Sequence, residues 1–157
     1  MNTLVLYATK YGATAKAAQL LAQKLPGDVT LVDLGKSTAP DLDAFDNVVI
    51  GSAVYVGKIL DPVKNYLETH AESLRAKNIG LFICCANEEH ADEQLKANFA
   101  EPLLSITKAT GHFGYAIQLQ KMNFFERTAI KMIMKTRESS ENIMENNIQQ
   151  FAKALTS

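Results

Sequence analysis

The sequence is short of most features that would assign it to a class at a glance, and each shortage excludes something. Cysteine is scarce: the 157 residues hold two, Cys84 and Cys85, adjacent within an apolar run. Side chains alternate along a strand, so neighbouring cysteines point to opposite faces and a bridge between them is strained. The expectation is two reduced, buried thiols and a reducing compartment. An excess of one charge is missing as well. Sixteen basic against seventeen acidic residues leave a formal net charge of -1, so no global basic signature points to nucleic acid as a partner. No apolar run approaches the ~20 residues of a membrane span, and residues 1–6 lack the basic start and long apolar stretch of a secretory signal. These absences predict a cytoplasmic protein. Internal repeats, low-complexity tracts and composition breaks are also lacking. A chain of this size buries roughly 68–70% of its unfolded surface, so residues 1–157 are expected to form one domain.

What is present is an alternation of short apolar runs with helical patterns. Residues 3–8 (TLVLYA) read as a buried strand, being rich in leucine and β-branched residues with no polar alternation. Ala18, Leu21, Ala22 and Leu25 then recur at helical spacing until Pro26-Gly27. Residues 29–34 and 47–51 read as the second and third strands. Asp61-Pro62 supplies an N-cap and a first-turn proline for a helix whose face is Val63, Leu67, His70 and Leu74. Residues 79–85 (IGLFICC) read as a fourth buried strand, and a helix from Asp92 restarts near Pro102. Phe113, Tyr115, Ile117 and Leu119 alternate with smaller or polar residues, predicting a fifth strand at a sheet edge. Helical patterns over about 124–135 and from Met144 to Leu155, the latter behind a serine-rich start, close the chain. Five strands alternating with helices predict an α/β fold, a doubly wound parallel sheet with helices on both faces. Ligands of such sheets sit beyond the carboxyl ends of the strands.

Three loops would meet at that rim. The first, Thr9-Lys10-Tyr11-Gly12-Ala13-Thr14, opens a helix, where unpaired amides and the positive end of the dipole favour a phosphate. Thr9 and Thr14 would add hydroxyls, and Gly12 would let the backbone wrap closely. The alternative is that Thr14 merely caps its helix. The second loop, Ser52-Ala53-Val54-Tyr55 with Gly57, could lay small residues and one aromatic along a planar ring, or Tyr55 could cover the core edge. In the third, CCANEEH over residues 84–90, Asn87 and backbone groups could hydrogen-bond the edge of a ring.

The motif T9-x-x-G12-x-T14 after the first strand, with GSAVYVG after the third and five strands in this order, resembles the flavodoxin-like family over essentially the whole chain. The resemblance implies a three-layer sandwich whose five-stranded parallel sheet runs 2-1-3-4-5, and FMN as cofactor. It places the phosphate on residues 9–14, residues 52–57 against one face and edge of the flavin, and Cys85, Ala86 and Asn87 in the facing loop. Within that family FFERTAIKMIMK (124–135) and VVIGSAVYVGK are similar to the short branch that includes the menaquinone-dependent protoporphyrinogen dehydrogenases. The stretch 86–110 is shorter than in those enzymes and less basic. Electron-carrying flavodoxins sandwich the ring between two aromatics, whereas this chain offers Tyr55 and no aromatic between Ala86 and Lys96. The implied activity is FMN-dependent electron transfer with a quinone or similar planar acceptor; the alternative is a non-enzymatic carrier that docks onto redox proteins. A flavin of this kind requires no catalytic side chain, since the ring itself takes the electrons.

Charge is concentrated in one place. Residues 121–137 hold five basic and one acidic side chain, a net of +4. Arg127, Lys131 and Lys135 form a stripe opposite Phe125, Ala129, Met132 and Ile133. Such a helix either docks on the core with a solvated cationic face or lies against anionic lipid at the inner membrane face. His70 is expected in the core, and His90 and His112 fit no metal-ligand spacing, so no metal is predicted. The acidic residues of a response-regulator receiver and the GxxxxGK[ST] of a P-loop hydrolase are absent.

Overall fold

The computed structural model describes residues 1–117, 123–125, 127–128 and 140–157. The end of the 113–119 alternation and most of the basic segment lie outside the described residues. Five strands form the main parallel sheet: β1 (Asn2–Ala8), β2 (Asp28–Asp33), β3 (Asn47–Tyr55), β5 (Asn78–Cys84) and β6 (Thr107–His112), in the order β2-β1-β3-β5-β6. A two-residue strand, β4 (Lys58–Ile59), folds back antiparallel on the end of β3. The fold class is therefore the α/β, flavodoxin-like one expected, with the expected order once β4 is set aside.

Strand alternation separates two cores. Leu4, Leu6, Val48, Ile50, Leu81 and Ile83 face one side, under α2 (Asp61–Thr69), α3 (Ala71–Leu74), α4 (Ala91–Asn98) and α5 (Glu101–Ile106). Val5, Val49 and Phe82 face the other, under α1 (Ala13–Lys24) and α6 (Glu145–Thr156). On that second side Phe82 stacks on Phe113 with centroids 4.4 Å apart, and Phe151 meets Phe113 edge-on at 5.1 Å. Glycines make room for these rings: a Cβ on Gly51 would lie 2.1 Å from Phe82, and one on Gly80 would lie 2.6 Å from Phe151. The two cysteines go to opposite cores, Cys84 to the α1/α6 side and Cys85 to the other, and both thiols are free. At the far rim Asn47 donates to Thr3 Oγ1 and accepts from Asn78 Nδ2, each at 3.1 Å, tying the starts of three strands in register.

The structure corrects several sequence expectations. The fifth strand of the sheet is Thr107–His112, not 113–119: its residues are polar or small and Ala109 alone is buried, so it carries no apolar signal. The alternating stretch begins a separate antiparallel ribbon, β7 (Gly114–Ile117) with β8 (Ser140–Ile143), so the serine-rich start of the last helix is a strand. Asp61 lies inside α2 rather than capping it; Leu60 is the cap and no side chain bonds there. His70 leaves the core for the break between α2 and α3, half-buried and stacked on Tyr66 at 4.1 Å.

Candidate functional site

The chain reverses its direction of travel across the sheet between β1 and β3, the place where an open α/β sheet leaves a crevice at the carboxyl ends of its strands. Register brings the ends of three strands level there: Ala8 pairs with Ser52, and Ala53 with Cys84. The three predicted loops therefore leave one rim side by side.

In the first loop the helix begins at Gly12, whose φ of 99° is left-handed and open to a residue without Cβ. Nothing lies within 4 Å of where its Cβ would be. Lys16 N makes the first intrahelical bond, to Gly12 O, and no side chain caps the helix. The amides of Ala13, Thr14 and Ala15 thus stand at its head without a helical acceptor. Thr14 sits inside α1, so it does not cap it. Its hydroxyl is buried and unpartnered, as is that of Tyr11. Thr9 Oγ1 accepts from Gly12 N at 2.9 Å, closing the turn with a hydroxyl that can still donate. Orphaned hydroxyls, free amides and an open glycine are what an oxygen-rich anion requires, and the first turn holds no acidic residue to oppose it.

Beneath this turn lies Cys84. Burial pushes its thiol up to about 12 from 9.0, the Thr14 hydroxyl pulls it down and Cys85 pushes it further up. Thr14 is near enough for that influence, yet makes no hydrogen bond of standard geometry. Burial likewise raises Tyr66 from 10.0 to about 12. Both neutral forms favour the folded state below their unfolded pKa, and that advantage disappears as pH rises through the folded values. Unfolding stability is therefore expected to fall from pH 9 upward, by at most ~1.4 kcal/mol per pH unit from the thiol. Urea midpoints between pH 8 and 11 measure it; a flat profile contradicts it.

The second loop is mostly strand. β3 runs on to Tyr55, and a two-residue turn, Val56-Gly57, reverses the chain so that Val54 pairs with Ile59 and Tyr55 with Lys58. Both turn residues are left-handed, φ 50° and 77°, the geometry that hairpin twist demands. Valine pays the steric penalty of that conformation while exposed by 81%. Val56→Asn is expected to raise stability by about 1 kcal/mol, read as a higher urea midpoint at unchanged slope. Ser52 is fully buried and its hydroxyl is occupied, accepting from Leu60 N at 2.9 Å and donating to Ala53 O at 2.8 Å. It braces the hairpin from within, while Ala53, Val54 and Tyr55 are half-buried and Gly57 is exposed.

Sequence reasoning missed the residue that anchors this hairpin. Asn98, at the end of α4, accepts from Ile59 N at 2.9 Å and donates to Gly57 O at 3.1 Å. The third loop follows β5: Cys85 is buried with Sγ donating to Asn87 O at 3.5 Å, Ala86 is half-buried and Asn87 exposed. His112 Nε2 meets Cys85 O at 3.2 Å. Lys10 joins the first two loops, its Nζ 3.3 Å from the centre of the Tyr55 ring. A separate cleft of ≈ 630 Å³ lies beyond the hairpin, between α2 and α4–α5, with Leu67, Leu74 and Leu103 in its wall. None of the predicted site residues lines it.

The sequence matches the model of the flavodoxin domain over residues 4–143. The chain belongs to the flavodoxin domain family. Solved structures share this flavodoxin fold at low identity. The flavodoxin of Streptococcus pneumonia TIGR4 is 18% identical, with 99% of this chain and 98% of that one covered and a TM-score of 0.61. A Fusobacterium nucleatum flavodoxin bound to flavin mononucleotide is 12% identical, covers 99% and 96%, and scores 0.60. Rubredoxin oxygen:oxidoreductase of Desulfovibrio gigas is 17% identical with a TM-score of 0.58, but this flavodoxin-family chain spans 37% of its length. No curated protein matches the sequence.

Proposed function

We propose that this flavodoxin-family chain binds FMN and passes electrons between it and a quinone or similar planar acceptor, in the manner of the branch that includes the menaquinone-dependent protoporphyrinogen dehydrogenases. The observation that carries the cofactor is the head of α1, with unpartnered hydroxyls at Tyr11 and Thr14 and an uncapped first turn. FMN, when bound, supplies a ring that accepts and returns one or two electrons. The chain's own work is placement. Amides 13–15 with Thr9, Tyr11 and Thr14 would hold the phosphate, while Tyr55, braced through Ser52 and Asn98, would support one face of the ring.

The facing loop argues for a flat acceptor. Residues 85–90 supply Cys85, Ala86, Asn87, two glutamates and His90, and none is a phenylalanine, tyrosine or tryptophan that would cover the second face with a large ring. The basic segment 121–137 favours delivery of such an acceptor at an anionic membrane. Of its described residues, Phe124 and Phe125 are 76% and 82% exposed, their rings edge-on at 5.8 Å. An exposed aromatic pair within a +4 segment suits the lipid interface. Among the described residues no helix is long and apolar enough to cross a membrane.

A second reading has its own support: the flavodoxins above match this chain end to end, which favours a carrier. Purified protein is expected to be yellow, and once reduced to be reoxidised faster by a water-soluble menaquinone analogue than by a cytochrome. Reoxidation by the cytochrome alone would leave the carrier reading. Sedimentation with anionic vesicles at low salt tests the membrane contact, and absence of binding removes it.

A further inference from the structure

Lys10 stands in a position that the phosphate-seat reading does not explain. Its backbone belongs to the turn between β1 and α1, yet its ammonium lies 3.3 Å from the centre of the Tyr55 ring on the neighbouring hairpin, and 5.8 Å from the ring of Tyr11. One cation therefore bridges the two loops between which the proposed cofactor would sit. A flavin stacked on Tyr55 from the side of the first loop and an ammonium at that distance need the same face of the ring.

We infer that Lys10 exchanges partners when a phosphorylated flavin enters, and that this exchange sets selectivity for phosphorylated over neutral flavins. The inference rests on the FMN reading above. The flavin ring takes the Tyr55 face, and the ammonium turns to the phosphate at the head of α1, two to four residues along the chain. For FMN the exchange is favourable, because a cation leaves an aromatic face for a dianion and gains charge-assisted hydrogen bonds. Riboflavin offers no such compensation. It displaces the ammonium from Tyr55 without bringing an anion to the head of α1, so Lys10 opposes neutral flavins with the strength of its ring contact, about two- to thirtyfold in affinity. The lysine's flexible stem and point charge suit this two-position role.

Fluorescence titration of apoprotein with FMN and with riboflavin tests it, in the wild type, Lys10→Met and Lys10→Arg. Lys10→Met keeps the apolar stem and removes the charge. It is expected to weaken FMN about tenfold and to tighten riboflavin at least about twofold, so that the preference for FMN falls roughly twentyfold or more. Lys10→Arg is expected to hold the preference within about threefold, since it keeps both the ring contact and the charge. In the flavin-free protein the Lys10 side-chain protons should carry a ring-current shift that disappears when FMN is added. Equal changes in both affinities, or none, would overturn the exchange while leaving FMN binding intact. A wild type that binds neither flavin would overturn the proposed function together with it.

Discussion

Phe151→Ala is expected to lower the unfolding free energy by about 3–5 kcal/mol, seen as a lower urea midpoint at unchanged slope. Phe151 is 2% exposed and completes the aromatic cluster with Phe82 and Phe113. Gly80 and Gly111 face this cluster; a Cβ on either would lie 2.6 or 3.1 Å from the Phe151 ring, so these backbones already approach it as closely as they can. Neighbours held by a sheet cannot collapse into the space a ring vacates, which puts the loss at the upper end of core truncations. The contrasting variant is Phe124→Ala. That ring is 76% exposed, and its removal should change stability by no more than ~0.5 kcal/mol. A loss below 1 kcal/mol for Phe151→Ala would contradict the packing described.

Thr14→Val is expected to separate stability from binding. The threonine is fully buried and, beside the Cys84 thiol, its hydroxyl makes no hydrogen bond of standard geometry, so a methyl of the same shape removes a poorly satisfied polar group without opening a cavity. Flavin-free protein should be as stable as the wild type or slightly more so. FMN affinity, in contrast, should fall by about 10- to 100-fold, the value of one hydrogen bond to a charged acceptor. Riboflavin affinity should be unchanged, since it has no phosphate to lose. Parallel losses for both flavins would mean that Thr14 acts through the fold. An unchanged FMN affinity would mean that the hydroxyl does not face the ligand.

The readable parts of this sequence are those where one physical demand dominates. β1, β3 and β5 lie in the centre of the sheet, buried on both faces, and their unbroken apolar runs announced them. Edge strands do not meet that demand. β6 has a single buried residue, Ala109, and its threonines, lysine and histidine carry no strand signal, whereas the alternation just after it does. β2, the other edge, was legible by its three aliphatic residues although none of its residues is buried. α6 was legible because Ile148, Phe151, Ala152 and Leu155 keep one face.

For the site, position in the chain was legible and division of labour was not. The turn at residues 9–14 was recognisable because its glycine and threonines follow a strand and precede a helix. Ser52 belonged to the right segment, yet its hydroxyl serves the hairpin, through Leu60 N and Ala53 O. That depends on where the chain turns back, and the turn, Val56-Gly57, lacks the usual Asn-Gly or Asp-Gly signature. Asn98 lies some forty residues from the hairpin it holds, beyond any local pattern. The pairing of Lys10 with Tyr55 is long-range in the same sense, and it follows from the adjacency of β1 and β3.

The backbone amides that respond to the cofactor report most directly on the phosphate seat. In a titration of isotopically labelled apoprotein with FMN followed by amide NMR, the largest shifts are expected at Gly12, Ala13 and Thr14, with Tyr55, Gly57 and Asn87 next. Riboflavin should leave the first group nearly unmoved. Shifts centred on Leu67 and Leu103 in the cleft between α2 and α5, or no saturable shifts at all, would contradict a phosphate seat at the head of α1.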